Sequence, residues 1–301
     1  MTADPPAPGA GRFAPSPSGD LHVGNLRTAL LAWLWARSTE RRFVLRVDDL
    51  DRVRVGAEER QLADLKALGL DWDGPILHQS TRIDVYRDAV ADLTAAGRTF
   101  ACFCTRREIQ EAPSAPHSPP GTYPGTCRDL TDYEVRERSA DRPAALRLRA
   151  DVEEWSIEDE RHGTVTGTVD DLVLVRNDGV PAYNLTVVVD DAAQGVDQVV
   201  RGDDLLTSAP RQAYLATLLA LPVPTYIHVP LALNAAGARL AKRDGAVTWT
   251  ELAALGIDPF RLIAGSLGLS GSTPDELMAT FNPAGVPDGP WVFEPPPARV
   301  T

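Results

Sequence analysis

Arg12-Phe13-Ala14-Pro15-Ser16-Pro17-Ser18-Gly19-Asp20-Leu21-His22-Val23-Gly24-Asn25 runs from a short apolar segment, through a loop of proline, serine and glycine, into an apolar stretch of helical period. Arg12 to Ala14 reads as a strand. Asn25 to Arg37 reads as a helix, with Leu26, Ala29, Leu30, Trp33 and Leu34 on one face. Outward from this stretch the alternation continues. Phe43 to Val47 is an apolar strand, and Ala57 to Leu68 is a helix with Leu62, Leu65 and Leu68 on one face. Asp84 to Ala96 is a further helix, ended by Gly97. Strand and helix in alternation predict a parallel sheet with crossover helices, an α/β fold of the doubly wound Rossmann type. In such a sheet ligands bind beyond the carboxyl ends of the strands, and a helix N-terminus there offers N–H groups and a positive dipole end to phosphate. Gly24 would let a planar base or a ribose approach the backbone, and His22 can donate to a phosphate oxygen. On its own, a His-x-Gly is more simply a capping histidine in a loop.

The middle of the chain reads differently. Thr99 to Cys104 is strand-like, Glu111 to Pro124 is a Pro/Ser/Gly loop, and Ala144 to Arg149 alternates apolar and basic residues. Leu172 to Val175 and Val180 to Tyr183 flank the turn Arg176-Asn177-Asp178-Gly179. From Asn184 the parallel pattern resumes, with strands at Val196 to Arg201 and Tyr226 to Pro230 and a helix at Ala209 to Leu219. Helices follow at Thr248 to Leu255 and Pro259 to Leu267. The expected organisation is a disordered lead (1–10), a catalytic domain in two halves (11–98 and 184–271), an inserted α+β subdomain (99–183) and a Pro/Gly-rich tail (272–301).

Composition narrows the setting. The 301 residues, 44% hydrophobic and 24% charged, fit an ordinary globular chain of about two domains or one large one. No run of about 18 apolar residues occurs, so no membrane span is expected. Met1 to Ala10 lacks the apolar centre of a secretion signal, and a cytoplasmic monomer is the expected state. A net charge of −12 argues against a large nonspecific nucleic-acid footprint but leaves room for an RNA held by a local basic patch. All three cysteines lie between Cys102 and Cys127, which suits a metal site better than a disulfide framework.

Two segments resemble the signatures of class I aminoacyl-tRNA synthetases. His22-Val23-Gly24-Asn25 is similar to the family's His-Ile-Gly-His, with Asn25 for the second histidine. Arg239-Leu240-Ala241-Lys242-Arg243, which follows a strand at Leu231 to Asn234 and a turn, is similar to Lys-Met-Ser-Lys-Ser, with Ala241 for serine and Lys242 kept. Taken alone, the second is a solvated charge run. Arg12 to Gly19, Leu45 to Asp51, Tyr183 to Leu185 with Val187 to Asp191, and Val200 to Asp204 resemble the glutamyl-tRNA synthetase branch, over residues 11–269. The chain ends where that enzyme begins its anticodon-binding domain, and Leu205 stands where it usually has histidine. Both features resemble the truncated members of the branch, the glutamyl-queuosine tRNA(Asp) synthetases.

The resemblance implies activation of L-glutamate by ATP with Mg²⁺, without tRNA, and transfer of the glutamyl group to queuosine in the anticodon loop of tRNA(Asp). It implies His22 and Lys242 as catalytic residues, and Pro15, Ser18, Gly19, His22, Gly24, Asn25, Arg239, Leu240 and Lys242 around ATP. Glutamate would be held by Arg12, Phe13, Ala14, Pro15, Ser16, Asp48, Tyr183 and Arg201. The assignment has a chemical basis. The side-chain carboxylate needs a cation, and a guanidinium gives a planar two-point grip. The ammonium needs an anion, and Asp48 stands where the family usually has glutamate. The plainer alternative is a surface ion-pair cluster of Arg46 with Asp48, Asp49 and Asp51, and an Arg201–Asp203 pair.

Cys102, Cys104, Cys127 and Tyr123 resemble the branch's zinc site, expected here as one structural Zn²⁺ per chain. His117 competes for the fourth position, and three buried cysteines without a metal is the simpler alternative. Three rival functions remain: a compact glutamyl-tRNA synthetase charging the 3′ end, a nucleotidyltransferase of the same fold, and a non-catalytic RNA-binding relative.

Overall fold

The structure is a computed structural model, and it describes residues 8–111, 123–240, 245 and 247–295. The first half alternates as expected: β1 (Ala10–Phe13), α1 (Val23–Ser38), β2 (Arg42–Val47), α2 (Ala57–Ala67), β3 (Leu77–His78) and α3 (Ile83–Ala95). The middle contributes β4 (Thr99–Cys102), α4 (Arg106–Glu111), α5 (Asp132–Asp141), β5 (Ala145–Leu148), β6 (Glu154–Asp159), β7 (Gly163–Thr168) and β8 (Val173–Val175). The remainder is α6 (Tyr183–Ala193), β9 (Val196–Gly202), α7 (Ala209–Leu218), β10 (Thr225–Val229), β11 (Ala232–Leu233), α8 (Trp249–Ala254), α9 (Pro259–Ser266), α10 (Pro274–Met278) and β12 (Trp291–Val292).

The main sheet has seven strands in the order β3-β2-β1-β9-β10-β6-β7, parallel except for β7. The chain winds outward from β1 to β3 on one side and from β9 to β10 on the other. The order therefore reverses between β1 and β9, and that crevice is where such sheets bind ligands. Side chains alternate across each strand. Phe43, Leu45, Val200 and Ile227 share one core with the apolar α1. Ala10, Val44, Val199 and Tyr226 face the other way, onto Ala209 and Ala213 of α7. Two residues further along these strands, the second face changes from apolar to polar: Arg12, Arg46, Arg201 and His228 are all buried there.

Four expectations are revised. Residues 99–183, expected as one inserted subdomain, divide: the hairpin β6–β7 joins the main sheet beside β10 through Tyr226↔Asp159, leaving β4, β5 and β8 as a separate antiparallel sheet. Val180 to Tyr183, expected as a strand, makes one bridge at Pro181, and Tyr183 then opens α6. The turn before it is as expected, with Gly179 left-handed at φ +81. Residues 272–295 are not a loose tail. Helix α10 packs on α1, Leu277, Val286 and Phe293 are buried in its core, and β12 pairs with β11. A few apolar anchors suffice, although no periodicity announces them. Of the expected lead, residues 1–7 lie outside the described residues, whereas Ala10 is fully buried in β1 and Gly9 accepts the Arg42 N–H.

Candidate active site

The loop from Pro15 to Gly19 sits at the carboxyl end of β1 and is braced from two sides. Gln61 of α2 donates to the Ser16 and Gly19 carbonyls at 3.0 and 2.6 Å. The Asp48 and Arg54 amides reach the Pro15 and Pro17 carbonyls. Ser18 turns back through its amide onto Ser16, and Phe13 and Ala14 connect this loop to the sheet. His22 is the N-cap of α1. Its Nδ1 accepts from the Asn25 amide at 3.2 Å, while Asn25 Oδ1 accepts from the His22 amide at 3.1 Å. That reciprocal box explains an asparagine at this position. With Nδ1 accepting, the neutral imidazole carries its proton on Nε2, a donor.

Gly24 also has a local packing reason. A Cβ there would meet the Ala232 Cβ at 2.8 Å and the His22 ring at 3.0 Å. The close approach is made by β11. The two signature segments are therefore neighbours. On one flank, Leu240 donates to the Ala232 carbonyl and Arg239 pairs with Asp204 at 2.6 Å. On the other, Val23 donates to the Val247 carbonyl and His22 bridges to Thr248. Lys242 itself, with Ala241 and Arg243, lies outside the described residues.

Behind this crevice the sheet and α6 enclose a layer of charge. Arg46 has no exposed surface. It bonds Asp48 at 2.8 Å and Asp191 at 2.6 Å, and Asp190 lies 3.9 Å away. Burial opposes its charge, but the three carboxylates outweigh that and raise its pKa. Arg12 reaches the Val200 carbonyl at 3.1 Å and lies 3.5 Å from Asp191. Burial lowers its pKa, Asp191 counters that, and Arg46 and Arg201 add to the lowering. Asp48 is nine-tenths buried, and burial raises its pKa against the pull of Arg46. The Arg46–Asp48 pair, which the plainer alternative put in a surface cluster, is thus real but buried. Asp190 also takes Gln79, Arg82 and Tyr86. Sequence reading quoted Asp190 and Asp191 within a motif but gave them no role.

Arg201 does not pair with Asp203. Its Nε donates to His228 Nε2 at 3.0 Å, NH1 to the Gln212 side-chain oxygen at 2.7 Å, and NH2 to the Leu205 carbonyl at 3.4 Å. His228 in turn meets Asp159 at 2.6 Å through Nδ1. Since Nε2 accepts from Arg201, the ring is neutral, and burial keeps its pKa below the ordinary histidine value. Among the described residues every hydrogen-bond partner of Arg201 is therefore neutral, although only 5% of the residue is exposed. His228 and Asp159 had no signal in the sequence.

A cleft of about 890 Å³ opens in front of this layer. Its wall includes Ser16, Asp48 and Tyr183 on one side and Cys102 and Cys104 on the other. Arg12 and Arg201 lie behind the wall. The sulfurs of Cys102, Cys104 and Cys127 lie within 4.8 Å of one another, with Cys104 and Cys127 at 3.6 Å. Tetrahedral zinc with bonds of about 2.3 Å places its sulfurs roughly 3.8 Å apart. The triad can hold a metal ion. Without one, burial and the neighbouring Cys102 and Cys127 push the Cys104 thiol up to about 12. Tyr123 Oη lies 3.5 Å from Cys102 Sγ and accepts the Cys127 amide at 2.8 Å. His117 lies outside the described residues.

A mainly parallel sheet with a capped helix at its switch point is the plan of a nucleotide-binding α/β domain. Residues 10–288 match the family tRNA synthetases class I (E and Q), catalytic domain. A glutamate tRNA ligase structure from Elizabethkingia meningosepticum has the same fold, with a TM-score of 0.78 at 24% identity over 94% of this chain and 66% of that one. The chain belongs to the class I tRNA synthetases of the E and Q type, and within them to the glutamyl-Q tRNA(Asp) synthetases. It is 64% identical over 298 residues to the Glutamyl-Q tRNA(Asp) synthetase of Nocardia farcinica, covering 97% of this chain and 96% of that relative. To the Glutamyl-Q tRNA(Asp) synthetase of Cutibacterium acnes it is 54% identical over 278 residues, 89% and 79% of the two chains.

Proposed function

We propose that this chain activates L-glutamate with ATP and Mg²⁺ as glutamyl-adenylate, and transfers the glutamyl group to queuosine in the anticodon loop of tRNA(Asp). The observation that carries the glutamate reading is Arg201, a buried cation held among the described residues by neutral groups, with Arg12 on the neighbouring strand. Arg12 has Asp191 beside it, but Arg201 still calls for an anion, and a ligand carboxylate supplies it. Tyr183 lines the cleft in front, and Asp48 offers a negative charge to an ammonium group while bonded to Arg46. Ser16 and the Phe13 to Pro15 backbone complete the cradle.

In the first step the α-carboxylate of glutamate attacks the α-phosphorus of ATP and pyrophosphate leaves. Catalysis of this kind is positioning plus charge stabilisation. His22 Nε2–H at the α1 N-terminus is suited to a phosphoryl oxygen, and Lys242, in the segment whose far flank at Val247 and Thr248 touches Val23 and His22, to the leaving phosphates. Pro15, Ser18, Gly19, Gly24, Asn25, Arg239 and Leu240 shape the surroundings of ATP. In the second step a hydroxyl of the queuosine ring attacks the adenylate carbonyl and AMP leaves, so no protein nucleophile is required. Cys102, Cys104 and Cys127, with Tyr123 as fourth donor, are proposed to hold one zinc ion. When bound it would pin the loop that forms one wall of the cleft. Metal analysis of the purified chain reads this directly: one zinc per chain is expected, and none refutes it.

No helix among the described residues is long and apolar enough to cross a membrane, and a cytoplasmic monomer remains the proposed state. The deciding experiment is glutamate-dependent ATP–pyrophosphate exchange without tRNA, followed by transfer to tRNA(Asp) with and without queuosine. Exchange, then transfer only to queuosine-bearing tRNA, is expected. Absence of exchange removes the activation reading. Periodate-sensitive transfer to queuosine-free tRNA would instead assign the 3′ end as acceptor.

A further inference from the structure

Arg201, His228 and Asp159 stand on three adjacent strands, β9, β10 and β6, joined by bonds of 3.0 and 2.6 Å. The Asp159 carboxylate is fully engaged. One oxygen takes the Nδ1 and the backbone amide of His228, and the other takes the amides of Arg161 and His162 at 3.0 Å each. Both His228 and the Asp159 side chain are wholly buried, so neither meets a substrate. The chain of bonds has one direction. Asp159 fixes the Nδ1–H tautomer, which turns the Nε2 lone pair to Arg201.

We propose that His228 and Asp159 are positioning residues of the amino-acid pocket, orienting Arg201 through a neutral acceptor so that its charge is left for the carboxylate of the ligand. This rests on the glutamate reading of Arg201. A carboxylate in place of His228 would orient the guanidinium equally well, but would also neutralise it and compete with the ligand. A purely apolar side chain would leave Nε buried without a partner. A guanidinium has five N–H donors, and the bonds to His228, Gln212 and Leu205 leave one on NH1 and one on NH2 for a ligand. The arrangement also gives a reason for the β6–β7 hairpin to leave the middle segment and join the main sheet: it delivers Asp159 to the strand beside Arg201.

The groups facing His228 are Asp159 from β6, Arg201 from β9, His162 from the β6–β7 turn, and Tyr226, whose ring stacks 6.0 Å away on its own strand. Burial, Arg201 and His162 disfavour the protonated ring, and Asp159 favours it. A protonated ring would turn a second donor onto Arg201. Acid conditions that protonate it therefore weaken the hold on glutamate.

The test uses the full chain in ATP–pyrophosphate exchange with L-glutamate and with L-glutamine, comparing His228→Leu, His228→Gln and Asp159→Asn. The glutamine side-chain oxygen can stand where Nε2 stands, so His228→Gln keeps the acceptor and removes the titrating ring. His228→Leu is expected to raise the KM for glutamate on the order of tenfold, the loss of one charged hydrogen bond, with the KM for ATP unchanged and discrimination against glutamine reduced. His228→Gln should restore most of that loss and remove the rise in KM at acid pH. Asp159→Asn should behave like a milder His228→Leu. If His228→Leu does not fold, Asp159→Asn against His228→Gln makes the same comparison. Equal glutamate KM and equal selectivity in all folded variants overturns the proposal. Absence of glutamate-dependent exchange by the unaltered chain removes the activation reading, and this inference with it.

Discussion

Arg46 has no exposed surface, yet it carries its charge between Asp48, Asp190 and Asp191. Taking such ions out of water costs several kcal/mol each, and the layer persists because each charge meets its opposites. Asp191 is the shared member, bonded to Arg46 and lying 3.5 Å from Arg12. Asp191→Asn removes that charge and leaves two buried guanidinium groups short of a counterion. A loss of about 3 kcal/mol in folding stability is expected, the size seen when one partner of a buried pair is removed. Asp51→Asn is the control: Asp51 pairs loosely with Arg52 and Arg176 at 3.6 and 3.5 Å in an exposed setting, where exposed pairs contribute less than about 1 kcal/mol. Urea midpoints for the two variants decide the matter, and equal midpoints would show that the layer does not depend on Asp191. The residues proposed to meet a ligand (Arg12, Asp48, Tyr183, Arg201) stand in motifs that the sequence shows. The roles of those that hold them were not legible. Asp191 gains its role only when α6 lies against the sheet, and His228 and Asp159 are 69 positions apart, brought together by strand order alone.

Helix α1 carries the signature loop, and its position is set by contact with β11. Gly24 and Ala232 approach so closely that a Cβ at 24 would lie 2.8 Å from the Ala232 methyl. That methyl cannot rotate away, so Gly24→Ala must push the α1 N-terminus and β11 apart. The expected cost is about 1–3 kcal/mol of stability from overpacking, with a raised KM for ATP because both signature segments flank this contact. Ala232→Gly in the same chain makes room for the new methyl. The double variant should therefore be more stable than the sum of the two single changes by on the order of 1 kcal/mol. Thermal melts and exchange kinetics of the four chains measure it, and strict additivity would sink the explanation. The elements themselves were legible where one face is apolar and the other wet, as in α2 and α3. They were not legible where all-round burial meets a β-branched run. In α6, Leu185 and Thr186 through Asp191 are buried, so the run Val187-Val188-Val189 shows no helical period and offers β-branched residues to the eye. In the segment from α10 to β12 the anchors Leu277, Val286 and Phe293 are too widely spaced for any period.

The chain as a whole carries a net charge of −12, but its cleft does not share that sign. Arg52, Arg106, Arg142, Arg147, Arg176 and Arg211 line it, against Asp48, Asp51 and Asp170. An arginine-rich cleft on an acidic molecule favours a small polyanion footprint over a broad one. The two proposed steps then differ in their response to salt. Activation binds glutamate at guanidinium groups that are almost wholly buried, where screening is weak. Transfer draws RNA phosphates to arginines at the surface, where binding releases counterions and weakens steeply with ionic strength. Raising salt from about 50 to about 200 mM should leave the exchange KM for glutamate nearly constant and raise the KM for tRNA by about tenfold, as neutralisation of a few phosphates implies. Arg52→Ala and Arg106→Ala, which change neither Arg12 nor Arg201, should flatten that salt dependence while leaving exchange intact. A transfer step no more sensitive to salt than exchange would place the RNA on some surface other than this cleft. A loss of exchange in Arg106→Ala would tie the cysteine-bearing wall to activation, because Arg106 stands two residues beyond Cys104 on that wall.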